Sequence, residues 1–163
     1  MKKFLIISMA SLALVSSRAY ATSIGGDIGF GHYWAAGAGV SGLALSGYVD
    51  IALNNGFSLS PTVELWTGSE NDESITDLTP AIALKYSNSS KNVTSFFGFE
   101  PQLHILSSNG ESRSYFGFRG FGGVAIPLSP TMSIPCQASY GLIFGEGSTV
   151  NVFAVKIGIA ARI

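Results

Sequence analysis

The side chains able to carry out chemistry are few in this chain of 163 residues. There are two histidines, His32 and His104, and a single cysteine, Cys136. A hydrolytic site needs a nucleophile beside a base, and a zinc site needs three or four clustered ligands. The alternation described below puts the two histidines on opposite faces of two different strands, so they form neither arrangement. We therefore assign no catalytic residue, no metal ligand and no cofactor-binding residue, and we expect no cofactor.

Eight charged residues fall at positions that share one face of their predicted strands. They are four carboxylates and four cations: Asp27, Asp50, Glu64, Glu100, Lys85, Arg119, Lys156 and Arg162. Charges enclosed in a protein persist only when they are paired. The equal numbers predict a hydrogen-bonded plug in a closed sheet. Within it we expect Glu100 to contact Arg119, directly or through Gln102, and Lys156 to reach Asp27.

The elements that position these side chains are strands, and the pattern is clearest in the last one, 150–163. Every second residue from Phe153 to Ile163 is apolar, whereas the alternate residues are small or are the cations Lys156 and Arg162. A period of two over this length indicates a strand, because a helix would mix the two sets around its surface. The small and charged face is typical of a narrow barrel interior, and the apolar face is typical of a lipid-facing band.

The same alternation recurs along the chain and predicts eight strands. They span residues 23–34, 42–53, 57–67, 78–87, 93–106, 115–128, 132–144 and 150–163. Their lengths are close to the 9–11 residues of a strand that crosses a bilayer at a tilt. The connections alternate between longer loops, at 35–41, 68–77, 107–114 and 145–149, and short turns. An even number of strands places both termini of the barrel domain on the same side, and we expect that side to face the periplasm.

The longer loops are predicted to carry an acidic rim. Its members are Glu70, Asp72, Glu73, Asp77, Glu111 and Glu146, with Arg113 as the cation among them. Such a rim attracts divalent cations or basic partners, or it simply keeps solvated loops from aggregating. The pattern leaves both interpretations open.

The composition is apolar, and the chain begins with an export signal. Hydrophobic residues make up 47% of the chain and charged residues 12%, against about 25% charged residues in typical soluble domains. Lys2 and Lys3 precede an apolar run that ends before the small-residue motif Ala19-Tyr20-Ala21. We therefore predict a cleaved signal peptide at 1–21 and a single barrel domain at 22–163; an uncleaved N-terminal anchor is the alternative.

The remaining composition excludes two further classes of protein. Without residues 1–21 the chain keeps 6 of its 9 basic residues against 10 acidic ones, a net charge of −4. No basic tract remains, so nucleic acid is not an expected partner. With Cys136 alone, an internal disulfide cannot form.

In strand number, alternation and loop asymmetry, residues 22–163 resemble the small eight-stranded outer-membrane barrels of Gram-negative bacteria. This group contains the transmembrane domain of outer membrane protein A and the opacity-type adhesins. The resemblance implies an all-β, closed, antiparallel, up-and-down transmembrane barrel located in the bacterial outer membrane. It also implies a monomer that contacts outer-membrane lipid and lipopolysaccharide and is inserted by the barrel-assembly machinery. Members usually end on an aromatic residue, whereas this chain ends on Ile163.

The predicted closed polar interior favours a structural or surface-interaction role without chemistry. One alternative is a porin-like channel for small ions or solutes. Another is a lipid A-modifying enzyme. The outer-membrane lipid A deacylases, however, place a histidine and a serine two residues apart, whereas Ser107 is three residues from His104. A soluble periplasmic barrel around an apolar ligand would need the apolar faces to point inward.

Overall fold

The computed structural model describes residues 20–163, apart from residues 54, 71, 72 and 146. Eight strands make up this part of the chain: β1 Tyr20–Ala35, β2 Ala38–Ala52, β3 Phe57–Glu70, β4 Glu73–Ser89, β5 Thr94–Ser108, β6 Glu111–Pro127, β7 Met132–Phe144 and β8 Thr149–Arg162. No helix in it is long and apolar enough to span a membrane. The apolar run of the predicted signal peptide lies outside the described residues.

The strands form a closed antiparallel barrel in sequence order. The last strand closes it, because β8 pairs with β1 from Ser23 opposite Arg162 to Trp34 opposite Asn151. The predicted eight-stranded up-and-down barrel is therefore confirmed. We call the end at which β1 begins and β8 ends the terminal end, and the opposite end the distal end.

The inside and the outside of the barrel follow the predicted alternation. Outward residues such as Val63, Phe97 and Ile157 are 51–63% exposed, whereas the inward residues Glu64 and Glu100 are at most 3% exposed. Consecutive side chains of a strand point to opposite faces, so one sequence produces both surfaces. A continuous apolar exterior of this extent is the surface that a barrel presents to lipid.

The connections at the distal end are shorter than predicted. The predicted loop at 35–41 is a two-residue turn in which Ala36 and Gly37 both have positive φ, and Asn109 and Gly110 form a second such turn. Two consecutive positive φ angles are typical of the tightest β-hairpins. The predicted loops failed because hydroxyl-rich segments extend the strands: Ser107, for example, pairs with Ser112 and their hydroxyls lie 2.8 Å apart. The predicted asymmetry between long and short connections is therefore wrong.

Glycines on the inner face make room for large inward side chains. The indole of Trp66 on β3 lies over Gly31, Gly42 and Gly68, which are in register across β1, β2 and β3. A β-carbon at any of these three positions would come within 2.6–2.9 Å of the indole ring. Real β-carbons do not approach other atoms so closely, so the indole ring can occupy this position only because these three residues are glycines.

Candidate functional site in the barrel interior

A central charge network crosses the middle of the lumen. Glu64 on β3 accepts hydrogen bonds from Arg119 Nη1 at 2.9 Å and from Lys156 Nζ at 2.6 Å. The Arg119 Nε also donates to Glu100, which lies directly opposite on β5. All four side chains are at most 4% exposed. Three strands besides β3 thus contribute to one ion-pair cluster, and the predicted contact between Glu100 and Arg119 is present.

The central network continues through neutral side chains. Gln102 Nε2 donates to Glu100 Oε1 at 3.0 Å, and Lys156 Nζ donates to Ser46 Oγ at 3.4 Å. Ser46 in turn donates to Asp27 Oδ2, also at 3.4 Å. The predicted direct contact of Lys156 with Asp27 is therefore wrong. In so narrow a barrel the long lysine side chain spans the lumen to β3 rather than turning to its neighbour β1.

A second polar group lies on the terminal side of the central network. Lys85 pairs with Asp50, which also accepts hydrogen bonds from Ser60 and, at 3.0 Å, from Ser23. The Lys85 ammonium is 5.5 Å from the centre of the Tyr48 ring. These residues line a polar cavity of about 620 Å³ that extends from the terminal end to the central network.

Arg162 departs from the predicted interior set. Its side chain is exposed, and it lines the terminal cavity near the end of β8. Within the described residues no ion pair joins it to the other charges. The alternation assigned the correct face, but the strand ends there, so the side chain is at the mouth of the barrel. The predicted balance of four carboxylates against four cations does not hold inside the lumen.

Asp77 is a further interior carboxylate, and its predicted position in an exposed acidic loop is wrong. It lies on β4 and is fully buried. Its Oδ2 accepts a hydrogen bond from the Tyr33 hydroxyl at 3.0 Å and lies 2.6 Å from Nδ1 of His104. Thr79 Oγ1 is 3.1 Å from the same nitrogen, and Gln102 Oε1 is 3.2 Å from His104 Nε2. Gln102 thus connects this distal polar cluster to the central network.

An apolar layer closes the lumen on the distal side of the distal polar cluster. Its members Tyr33, Trp66, Ile143 and Val152 are all at least nine-tenths buried. The Tyr33 and Trp66 rings are 4.2 Å apart between centroids. Together with the central network, this layer makes two successive barriers across the barrel.

Part of the distal cluster was readable from the sequence. Asp77 has the same parity as Thr79 and Lys85, so continuing the alternation two residues further would have placed it inside. Tyr33, Trp66 and His104 likewise have the parity of the inward residues Asp27, Glu64 and Glu100 on their own strands. Their mutual contacts were not predictable, because Tyr33 and Asp77 are 44 residues apart on strands that are not neighbours.

The acidic rim is only partly described. Glu111 and Arg113 are highly exposed and form a pair at 3.5 Å. Glu70 and Glu73 belong to strands β3 and β4 and lie opposite each other, whereas Asp72 and Glu146 are outside the described residues. No three His, Cys, Asp or Glu side chains of the described chain are arranged to hold a metal ion.

Neither histidine has the surroundings of a complete catalytic triad. Asp77 and Thr79 both approach Nδ1 of His104, whereas a triad needs the acid and the nucleophile on opposite ring nitrogens. On the lipid-facing side, His32 Nδ1 is 2.8 Å from Ser41 Oγ. That is hydrogen-bond distance for a base and a nucleophile. Among the described residues no carboxylate is bonded to His32.

No protein-family model and no curated protein sequence matches the chain. Similarity appears among solved structures. The chain superposes on Neisserial surface protein A with a TM-score of 0.80 at 12% identity, over 89% of this chain and 99% of that one. The outer membrane enzyme PagL gives 0.57 at 13% identity, over 86% and 99%. The outer membrane protein OprG from Pseudomonas aeruginosa gives 0.56 at 12% identity, over 88% and 96%.

These likenesses concern the fold. They extend over nearly the whole length of each compared protein, so the described barrel is a complete counterpart of theirs. The same fold carries both a surface protein and an enzyme, and function therefore has to be argued from the side chains of this chain.

Proposed function

We propose that this chain, which has the fold of the small bacterial outer-membrane β-barrels, acts as a closed barrel with a structural or surface-interaction role. In this proposal the lumen is filled by side chains and is not a permanent pathway. The distal end faces the outside of the cell and the terminal end faces the periplasm.

The observation that supports this proposal most is the position of Glu64 between Arg119 and Lys156. A solute that crossed the lumen would have to separate these buried pairs, which leaves uncompensated charges in a space with little water. It would then meet Trp66 two residues further along β3, in the apolar layer. An eight-stranded barrel is only wide enough for its own side chains, and here these side chains meet.

The expected partners follow from the exterior. The apolar band contacts outer-membrane lipid, and lipopolysaccharide would surround its distal half. Insertion would depend on the barrel-assembly machinery, and the barrel would remain a monomer. A surface ligand, if the role is interaction, would meet the distal turns.

Swelling of vesicles in iso-osmotic sugar solutions tests the closed lumen. The unmodified protein is expected to leave vesicles as impermeable as empty ones. Arg119→Ala combined with Trp66→Ala should admit small sugars, because it breaks the contacts to Glu64 and Glu100 and also opens the apolar layer. Arg113→Ala is the matched control, since this exposed arginine lies on the same strand outside the central network. Rapid swelling with the unmodified protein would contradict the proposal.

A small channel is the second candidate, and the two cavities favour it. One of about 620 Å³ opens at the terminal end and one of about 660 Å³ at the distal end. Among the described residues, the central network, the distal polar cluster and the apolar layer separate them. A rearrangement of these side chains would join the cavities, and the swelling assay would then report permeation by the unmodified protein.

A lipid-modifying enzyme is the third candidate, because Ser41 and His32 are in contact on the lipid-facing side. The pair has no acidic partner in the described chain, so we expect no acyl transfer or hydrolysis. Mass spectrometry of lipid A from cells that express the protein or its Ser41→Ala variant is the test. The same acyl pattern in both would agree with the absence of activity, whereas loss of an acyl chain that depends on Ser41 would establish an enzyme.

A further inference from the structure

The distal mouth of the barrel contains a cavity of about 660 Å³ that is mostly apolar. Its walls include Val40, Ile75, Leu106, Tyr115 and Val150, and its floor is formed by Tyr33 and Trp66. This volume is within the range of small-molecule sites, about 300–1,000 Å³. Residues of seven strands, β1 to β6 and β8, line the cavity, so it has room for a small molecule or a single chain and not for a folded protein.

The floor offers a ligand ring surfaces and no free polar atom. The Trp66 Nε1 donates to the carbonyl oxygen of Gly31 at 3.3 Å, and the Tyr33 hydroxyl donates to Asp77 on the side away from the cavity. The part of a ligand that reaches the floor must therefore be apolar, because a polar group there would lose its water without gaining a partner.

An apolar lining at this position is not needed to close the barrel. The terminal cavity, in the other half of the same lumen, has charged residues and serines in its lining beside apolar residues such as Phe96 and Phe121. The inward positions at the distal end are instead occupied by Val40, Ile75, Leu106 and Val150, which are all partly accessible. Apolar surface turned toward water in a concave site is typical of ligand recognition.

The rim of the cavity is polar. Ser108, Asn109, Glu111 and Arg113 lie at the β5–β6 hairpin above the apolar walls. The side chains of Arg113 and Glu111 are 70% and 77% exposed, and Arg113 Nη2 lies 3.5 Å from Glu111 Oε2. Exposed pairs of this kind contribute little stability, so a ligand head group can replace Glu111 beside Arg113 at low cost.

We propose that the distal mouth binds a single-chain amphiphile of the fatty-acid type. Its hydrocarbon chain lies between the apolar walls and reaches the rings of Tyr33 and Trp66, and its carboxylate stays at the rim near Arg113. The proposal does not depend on whether the lumen below conducts.

Fluorescence quenching tests this site, because the chain has only two tryptophans. The Trp34→Phe variant leaves Trp66, which is 1% exposed, as the sole reporter. The probe is terminally brominated lauric acid, added to the folded protein in vesicles of unlabelled phospholipid. Bromine quenches on contact, so we expect saturable quenching of Trp66. Absence of quenching would overturn the proposal.

Two variants in the Trp34→Phe background separate the cavity from the bilayer. Val150→Phe fills the cavity and should abolish saturable quenching, whereas Val155→Phe, on the outer face of the same strand, should leave it unchanged. Ile75→Phe is a second filling variant if Val150→Phe fails to fold. Equal quenching in the filled and unfilled barrels would show probe in the lipid only and would overturn the proposal.

Discussion

Arg119 forms ion pairs with two carboxylates on different strands. Its guanidinium contacts Glu64 on β3 and Glu100 on β5, and it is 4% exposed. A planar, permanently charged group with several donors suits this bridging position better than lysine would. Lys156, by contrast, provides a single point charge to the second oxygen of Glu64.

Arg119→Ala is expected to destabilise the folded barrel by about 3–5 kcal/mol, because it leaves two buried carboxylates with fewer partners. Combining Arg119→Met with Glu100→Gln should recover part of this loss, since Glu64 keeps Lys156. Reversible urea unfolding in lipid vesicles measures both effects. A single variant as stable as the unmodified protein would show that the pairs do not stabilise the barrel.

For single residues, the sequence predicts which side chains face inward but not which of them form pairs. The inward parity of Glu64, Glu100, Arg119 and Lys156 follows from the alternation alone. Which ion pairs these side chains form depends on how far each side chain extends across the lumen. Lys156 therefore meets Glu64 and not Asp27, which no local pattern predicts.

At the scale of the strands, the two faces differ in what they tolerate. Val63, near the middle of β3, is 53% exposed on the outside, whereas its neighbour Thr62 lines the terminal cavity. The two positions are adjacent on the strand and point in opposite directions.

Val63→Arg is expected to cost about 2–4 kcal/mol near the middle of the bilayer. Thr62→Arg should cost much less, because its charge enters a polar cavity with room for it. Unfolding in lipid vesicles ranks the two variants. The reverse order would mean that the inside and the outside of the barrel are exchanged.

Strand ends were the least predictable feature of the elements. Alternation identified all eight strands, yet the distal segments rich in serine, threonine and acidic residues were interpreted as loops. In the structure they continue the hydrogen-bonded ladder, and Glu70 lies opposite Glu73 at its end. Side-chain polarity indicates contact with water, and a strand that extends beyond the lipid has such contact too.

At the scale of the whole molecule, β1 begins inside the predicted signal peptide. Tyr20 and Ala21 pair with β2, and the register shifts between Ala21 and Ser23. Cleavage after Ala21 would remove only Tyr20 and Ala21 from β1, the two residues before the shift in register. The pairing of β1 with β8, which closes the barrel, starts at Ser23.

N-terminal sequencing of the protein extracted from outer membranes is therefore expected to begin at Thr22. The lysines at positions 2 and 3 and the Ala-Tyr-Ala motif are the signals for this cleavage. A folded outer-membrane species that retained Met1 would instead indicate an uncleaved anchor.

Single-channel recording in planar bilayers tests the closed lumen of the whole barrel most directly. The paired charges around Glu64 and the apolar layer at Trp66 predict that the unmodified protein gives no steady conductance. Arg119→Ala combined with Trp66→Ala, which removes both barriers, should open measurable, irregular currents, and Arg113→Ala should remain silent. A large, steady and ion-selective conductance from the unmodified protein would contradict the closed barrel and identify the molecule as a channel.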